Sequence, residues 1–275
     1  MRFLFLGDVV GRAGRKALLE TLPGLRDRFA LDFVVVNGEN AAGGFGITEA
    51  ILQDFLDAGA DVVTLGNHAF DQRETLVYIN RHGRLIRPLN FPAGTPGRGA
   101  GVFKARNGAD VLVINALGRV FMADIDCPFR SIDNELAACR MGRDVDAVFV
   151  DFHAEATSEK QALGLFLDGR VSCVAGTHTH SPTSDHRIMP AGSAYVSDVG
   201  MCGDYNSVLG MKADEPINRF ITRIPNNRFE PATGAATVAG LAVEIDDGTG
   251  LARDVAPLRI GGALSPAMPP FWPAA

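Results

Sequence analysis

The stretch Phe33-Val34-Val35-Val36-Asn37-Gly38-Glu39-Asn40 decides the fold. Its four consecutive apolar side chains show no polar alternation, so the run reads as a strand buried on both faces. It ends abruptly in a glycine and two side chains that carry oxygen. The same pattern recurs along the chain. Residues 3–6 run into Gly7-Asp8, residues 62–65 into Gly66-Asn67-His68, and residues 111–114 into Asn115. Residues 147–150 precede Asp151-Phe152-His153, and residues 171–175 precede Gly176-Thr177-His178-Thr179-His180.

Segments of helical period lie between these runs. Leu18, Leu19, Leu22 and Leu25 form one apolar stripe after Gly14. Ile51, Leu52, Phe55 and Leu56 form a second, opened by Thr48-Glu49, a hydroxyl cap followed by an acid in the first turn. Residues 158–167, with Leu163, Phe166 and Leu167, form a third. Strand and helix in alternation predict an α/β fold with a largely parallel sheet and covering helices, in which ligands bind beyond the carboxyl ends of the strands. Further on, residues 237–245, the turn Asp246-Asp247-Gly248-Thr249-Gly250 and residues 255–260 predict a hairpin at the edge of a second sheet. Beyond Gly261, Pro266, Pro269, Pro270 and Pro273 predict an irregular tail. No repeat or linker divides the chain, so residues 1–275 are expected to form one domain.

Apolar residues make up 47% of the chain and charged ones 21%, a globular balance. The net charge of −6 gives no global field for nucleic acid, and with few aromatics and no basic stripe a long nucleic-acid track is not expected. No apolar run approaches the roughly 20 residues that span a bilayer, and the first residues are too poor in apolar side chains for a signal-peptide core. Cys127, Cys139, Cys173 and Cys202 show no C-x-x-C spacing and read as reduced thiols. The expected location is the cytoplasm, without membrane contact.

Each strand-end residue taken alone is a weak signal. An aspartate after a strand is more often a cap, and a lone histidine such as His82 or His186 is more often structural. His178 and His180 carry more weight, because alternate residues of an extended segment point the same way. Together, five strand ends offer Asp8, Glu39 with Asn40, Asn67, His153, and His178 with His180 at one rim. Imidazole and carboxylate oxygen without thiolate suit iron, manganese or zinc in a catalytic rather than a structural site. These ligands exceed the needs of one tetrahedral ion. They suit two bridged ions roughly 3.5–4 Å apart. Gly7, Gly38, Gly66 and Gly176 lie beside the ligand positions, where the chain is expected to turn sharply.

Gly7-Asp8, Gly38-Glu39-Asn40, Gly66-Asn67-His68, His153 and Gly176-Thr177-His178-Thr179-His180 resemble, in order, the motifs of calcineurin-like metallophosphoesterases. Residues 7–11, 37–44 and 66–71 are similar more narrowly to the YmdB-like branch. The resemblance implies a four-layer α-β-β-α sandwich, with two central mixed sheets flanked by helices. It implies a phosphodiesterase acting on small phosphodiesters, 2',3'-cyclic nucleotides ahead of 3',5'-cyclic ones, with two divalent or mixed-valence transition-metal ions, iron ahead of manganese or zinc. A homo-oligomer is compatible with it. The wider superfamily places Asp-x-His in the first motif and aspartate in the second, whereas this chain has Val10 and Glu39; Asn40 then replaces the missing imidazole. On this resemblance Asp8, Glu39, Asn40 and His180 hold one ion, Glu39, Asn67, His153 and His178 hold the other, and Glu39 bridges.

Such ions bind phosphate and lower the pKa of bound water, so that hydroxide attacks phosphorus. His68 is the expected catalytic side chain, protonating the leaving oxygen or steadying the phosphoryl oxygens. Asp71 either orients it or caps the loop. Arg119, Asp124, Arg130, Asp198 and Asn206 are candidate pocket residues. Residues 41–46 are a candidate phosphate loop lacking the Gly-Lys-[Ser/Thr] ending of a P-loop. The competing readings are a non-catalytic metal-dependent nucleotide-binding module and a phosphomonoesterase or protein phosphatase of the same superfamily.

Overall fold

A computed structural model describes residues 1–272; Pro273 of the expected tail lies outside them. The short apolar runs are strands. In chain order these are β1 (Arg2–Leu6), β2 (Phe33–Asn37), β3 (Val62–Thr64), β4 (Leu85–Ile86), β5 (Ala100–Lys104), β6 (Asp110–Leu117), β7 (Ala147–His153) and β8 (Cys173–Thr177). After them come β9 (Arg187–Ile188), β10 (Ala194–Val196), β11 (Gly203–Asp204), β12 (Ala236–Ile245) and β13 (Ala252–Ile260). The helices are α1 (Gly11–Arg28), α2 (Glu49–Asp57), α3 (Thr75–Tyr78), α4 (Pro128–Ala138), α5 (Thr157–Leu167) and α6 (Asp214–Thr222). Thr48 caps α2 as its sequence suggests, its hydroxyl accepting from Ile51 N at 3.3 Å.

Two mixed sheets result. One runs β11-β12-β1-β2-β3-β4, with β13 also on β12; the other runs β5-β6-β7-β8-β10-β9. Strands β1 to β4 are mutually parallel, as are β6, β7, β8 and β10. Alternation along each strand separates three apolar layers. Phe3, Phe5, Phe33 and Val35 meet Val111, Val113 and Phe149 between the sheets. Leu4, Leu6, Val34 and Val36 pack on Leu18, Leu22, Leu52 and Phe55 of α1 and α2. On the far side Leu112, Ile114, Val148 and Val150 pack on Ile132, Leu136, Leu163 and Leu167 of α4 and α5. This is the expected four-layer sandwich. Phe149, with ring centroids 4.7 Å from Phe3 and 4.8 Å from Phe5, pins the two sheets together.

Two expectations need correction. The tail hairpin forms, but β12 pairs antiparallel with β1, so it extends the first sheet rather than edging a second one. Phe166 faces outward, because the face of α5 that packs inward is formed by Leu163 and Leu167; its ring instead meets Phe129 edge-on at 5.6 Å. The tail is irregular yet packed, with Trp272 Nε1 donating to Glu244 Oε2 at 2.6 Å. All four cysteines are free.

Candidate metal centre

The carboxyl ends of β1, β2 and β3 in one sheet meet those of β7 and β8 in the other, and the ligand-type residues converge there. His153 Nε2 lies 2.9 Å from Glu39 Oε1, 3.0 Å from Asn67 Oδ1 and 3.0 Å from His178 Nδ1. One N–H cannot satisfy three such neighbours. A cation shared by the four atoms can, and Glu39, His153 and His178 have ligand atoms all within 4.8 Å of one another. On the other side, His180 Nδ1 donates to Leu209 O at 2.9 Å, which leaves its Nε2 lone pair 3.2 Å from Asn40 Oδ1. The Asn40 amide nitrogen already donates to Gly44 O at 3.0 Å, so it cannot relieve that contact.

Two acceptors facing one another call for a positive charge between them. Asp8 makes the same demand. It is fully buried; Oδ2 accepts from His178 N at 3.2 Å, while Oδ1 has no hydrogen-bond partner among the described residues. An orphaned buried carboxylate oxygen is costly unless an ion meets it. The donor set, imidazole nitrogen with carboxylate and amide oxygen, fits divalent transition ions.

Electrostatics point the same way. Burial opposes ionisation of Glu39, yet the charge and hydrogen bond of His153, with help from His68, hold its carboxyl at about 2. Burial disfavours the His153 imidazolium, but Glu39, Asp8 and Asp151 push it up to about 9. His178 is driven down to about 3 by burial and then by His153. Burial raises Asp8. Without a cation, then, the negative field of this pocket draws a proton onto His153.

The geometry departs from the sequence reading at two points. His178 and His180 are not alternate residues of an extended segment: β8 stops at Thr177, and both histidines have left-handed backbones, with φ of 94° and 61°. That strain sends one ring toward His153 and the other toward Asn40. Nor do the four glycines turn the chain with positive φ. They clear space, as at Gly66, where a Cβ would collide with Glu39 Oε2 and the His153 ring.

A matching YmdB-like family model spans residues 4–258. The chain belongs to the YmdB-like family. It is 47% identical over 249 residues to the 2',3'-cyclic-nucleotide 2'-phosphodiesterase of Bacillus subtilis strain 168, covering 90% of this chain and 93% of that protein. The crystal structure of a phosphatase from Mycoplasma pneumoniae superposes with a TM-score of 0.87 at 35% identity, over 95% of this chain and 93% of that one. The calcineurin-like phosphoesterase YfkN of Bacillus subtilis, at 13% identity and a TM-score of 0.54 over 94% and 90%, shares the fold. This YmdB-like chain is a phosphoesterase. No helix among its described residues is long and apolar enough to cross a membrane.

Above the ligand-type residues of this YmdB-like protein opens a cleft of about 630 Å³. His68 lines it, with Nδ1 2.8 Å from Asp71 Oδ2 and the ring edge-on to Phe45 at 5.1 Å. The opposite wall comes from α6 and its flanking loops: Leu209, Met211, Arg219, Phe220 and Phe229. Arg219 stacks 4.0 Å over the Phe229 ring while donating to Glu215 Oε1 and Asn227 O.

None of Arg119, Asp124, Arg130, Asp198 or Asn206 lines the cleft. Asp198 is buried scaffold. It accepts from Lys160 Nζ at 2.8 Å and from Thr179 N and Oγ1 at 3.1 and 2.8 Å, and so anchors the histidine segment. In the 41–46 loop, the amides of Ala42, Gly44 and Phe45 are taken by turn hydrogen bonds, which removes them as phosphate donors. His82 pairs with Glu49 at 2.6 Å, and neither it nor His186 lines the cleft.

Sequence reading missed the α6 wall and two carboxylates beside the candidate ligands. Glu155 Oε2 stands 3.3 Å from His178 Nε2. Asp151, a lone carboxylate inside the apolar run of β7, was the one legible clue, because a buried charge must have partners. Burial raises it to about 6, with His153 and the hydroxyls of Thr64 and Thr177 opposing that rise.

Proposed function

We propose that this chain hydrolyses nucleoside 2',3'-cyclic phosphates at the 2'-oxygen, yielding 3'-phosphates. In this reading it uses two transition-metal ions, iron ahead of manganese or zinc. Asp8, Glu39, Asn40 and His180 hold one ion; Glu39, Asn67, His153 and His178 hold the other. The observation that carries the reading is the convergence of Glu39 Oε1, Asn67 Oδ1 and His178 Nδ1 within 3.0 Å of His153 Nε2, beneath a nucleotide-sized cleft that Glu39 and His178 line. The activity of the Bacillus subtilis relative supports the choice of substrate.

When bound, such ions neutralise phosphate charge and bring the pKa of bound water toward neutrality. The chain's own residues do the rest. Glu39 supplies negative charge to both positions and is held by the His68 backbone N–H at 3.2 Å. His178 N steadies Asp8. His68 has no ligand duty. Asp71 holds its Nδ1, and its other nitrogen donates a proton to the departing 2'-oxygen.

The test is a purified-protein panel of 2',3'-cyclic and 3',5'-cyclic nucleotides, p-nitrophenyl phosphate and bis-p-nitrophenyl phosphate, with bound metal measured in parallel by elemental analysis. Turnover should be fastest on 2',3'-cyclic nucleotides and should be lost on chelation. Turnover of monoesters alone, or full activity in stripped protein, would overturn the reading.

A further inference from the structure

His153 can serve as a ligand through Nε2 only if its proton sits on Nδ1. We propose that Asp151, acting through Thr177, is a positioning pair that fixes this tautomer from the seam between the two sheets, and so governs metal occupancy at the His153 position. The inference rests on the two-ion reading above.

Asp151 and His153 are alternate residues of β7 and share one face of it. Asp151 is fully buried and accepts from Asn37 Nδ2 at 2.9 Å, Thr64 Oγ1 at 2.5 Å and Thr177 Oγ1 at 2.7 Å. Asn37 and Thr64 end β2 and β3 of one sheet, and Thr177 ends β8 of the other.

Asp151 Oδ2 takes Asn37 Nδ2 and the Thr64 hydroxyl, and Oδ1 takes the Thr177 hydroxyl, so three donors converge on this carboxyl as acceptor and the Thr177 proton is committed to it. The Thr177 oxygen is then left as an acceptor, and His153 Nδ1 lies 2.9 Å from it. That contact is satisfied only by an Nδ1–H, which directs the Nε2 lone pair at Glu39, Asn67 and His178. The opposite tautomer would leave Nδ1 and the Thr177 oxygen as facing acceptors and put an N–H where a cation belongs. The same carboxylate thus ties the sheets together and sets the ligand.

Chelator-stripped protein titrated calorimetrically with Mn²⁺ tests this. Wild type should take two ions. Thr177→Val, close in shape but without the hydroxyl, should weaken one of the two by about 10–100-fold, the usual cost of losing an outer hydrogen bond to a ligand. Thr177→Ser should restore it. Thr64→Val, which takes a different donor from the same carboxylate, should leave both affinities within about threefold, since its bond does not lead to a ligand. Unchanged binding in Thr177→Val, or equal weakening in Thr64→Val, would overturn the proposal. Should Thr177→Val fail to fold, Asp151→Asn reads the same relay with the shape kept, and unchanged affinities there would overturn it as well. Wild type that binds no ion sinks the two-ion reading; wild type and Thr177→Val binding two ions alike sink only this inference.

Discussion

Every ligand-type side chain at or beneath the floor of the cleft sits on a strand or within three residues of its end: Asp8 after β1, Glu39 and Asn40 after β2, Asn67 after β3, His153 on β7, His178 and His180 after β8. The outer wall has no strand behind it. It is α6 with its flanking loops, exposing Phe220 at 78% and braced by one part-buried network of Arg219, Glu215 and Asn227. Buried strand ends hold atoms within tenths of an ångström, which the chemistry requires. A solvated helix face can yield to a ligand. Floor substitutions should therefore change kcat, and wall substitutions should change KM.

The largest effect should come from Glu39→Gln. The variant keeps the shape and removes the negative charge that the two proposed metal positions would share. Metal-assisted charge stabilisation is worth several kcal/mol, so kcat should fall by about 10³-fold or more, with fewer than two ions retained by elemental analysis. Turnover within tenfold of wild type, in folded protein, would end the bridge assignment and blur the contrast between floor and wall.

That contrast also explains what the sequence could reveal. Asp8, Glu39, Asn40, Asn67, His153, His178 and His180 were legible because an apolar run followed by a polar residue is a local signal, and topology places such ends at one rim. The separate directions of His178 and His180 were not, since positive φ at two non-glycine residues is imposed by packing rather than by residue type. Thr177 was silent for another reason: its importance exists only once β8 lies beside β7. Phe229 and Arg219 line the cleft because α6 and the segment up to residue 229 fold back over the strand ends, and no nearby pattern encodes that return.

His68→Ala should come next, about 10²-fold or more on cyclic nucleotides, within the range for general acid assistance. Both metals should stay bound. Because p-nitrophenolate departs without a proton, bis-p-nitrophenyl phosphate should suffer far less. Equal damage to both substrates would move His68 from proton donor to stabiliser of the phosphoryl oxygens, and loss of a metal would place it among the ligands.

On the wall, Phe229→Ala should raise KM for cyclic nucleotides by about fivefold to tenfold, the low end of aromatic–base stacking, and leave kcat nearly unchanged. Steady-state kinetics against bis-p-nitrophenyl phosphate supply the control, and KM there should move less. A fall in kcat as large as that of His68→Ala would show that the wall positions the phosphate, and the division of labour would fail.

The smallest effect should be that of Asp71→Asn, at the junction of the two regions. Asp71 Oδ2 contacts His68 Nδ1 at 2.8 Å, but the pair is open to solvent, with side chains 27% and 45% exposed. Exposed ion pairs are worth about 1 kcal/mol at most, and asparagine oxygen can still accept the Nδ1–H. The expected loss in kcat is therefore about fivefold or less, with metal content unchanged. Its direction is informative as well. If Asp71 acts through His68, the loss should follow the leaving group as it does in His68→Ala, larger for the cyclic nucleotide than for the p-nitrophenyl diester. In the double variant, Asp71→Asn should then add nothing further to His68→Ala. A full additional loss there would mean that Asp71 serves the loop rather than the imidazole. A loss rivalling that of Glu39→Gln would instead place Asp71 with the floor.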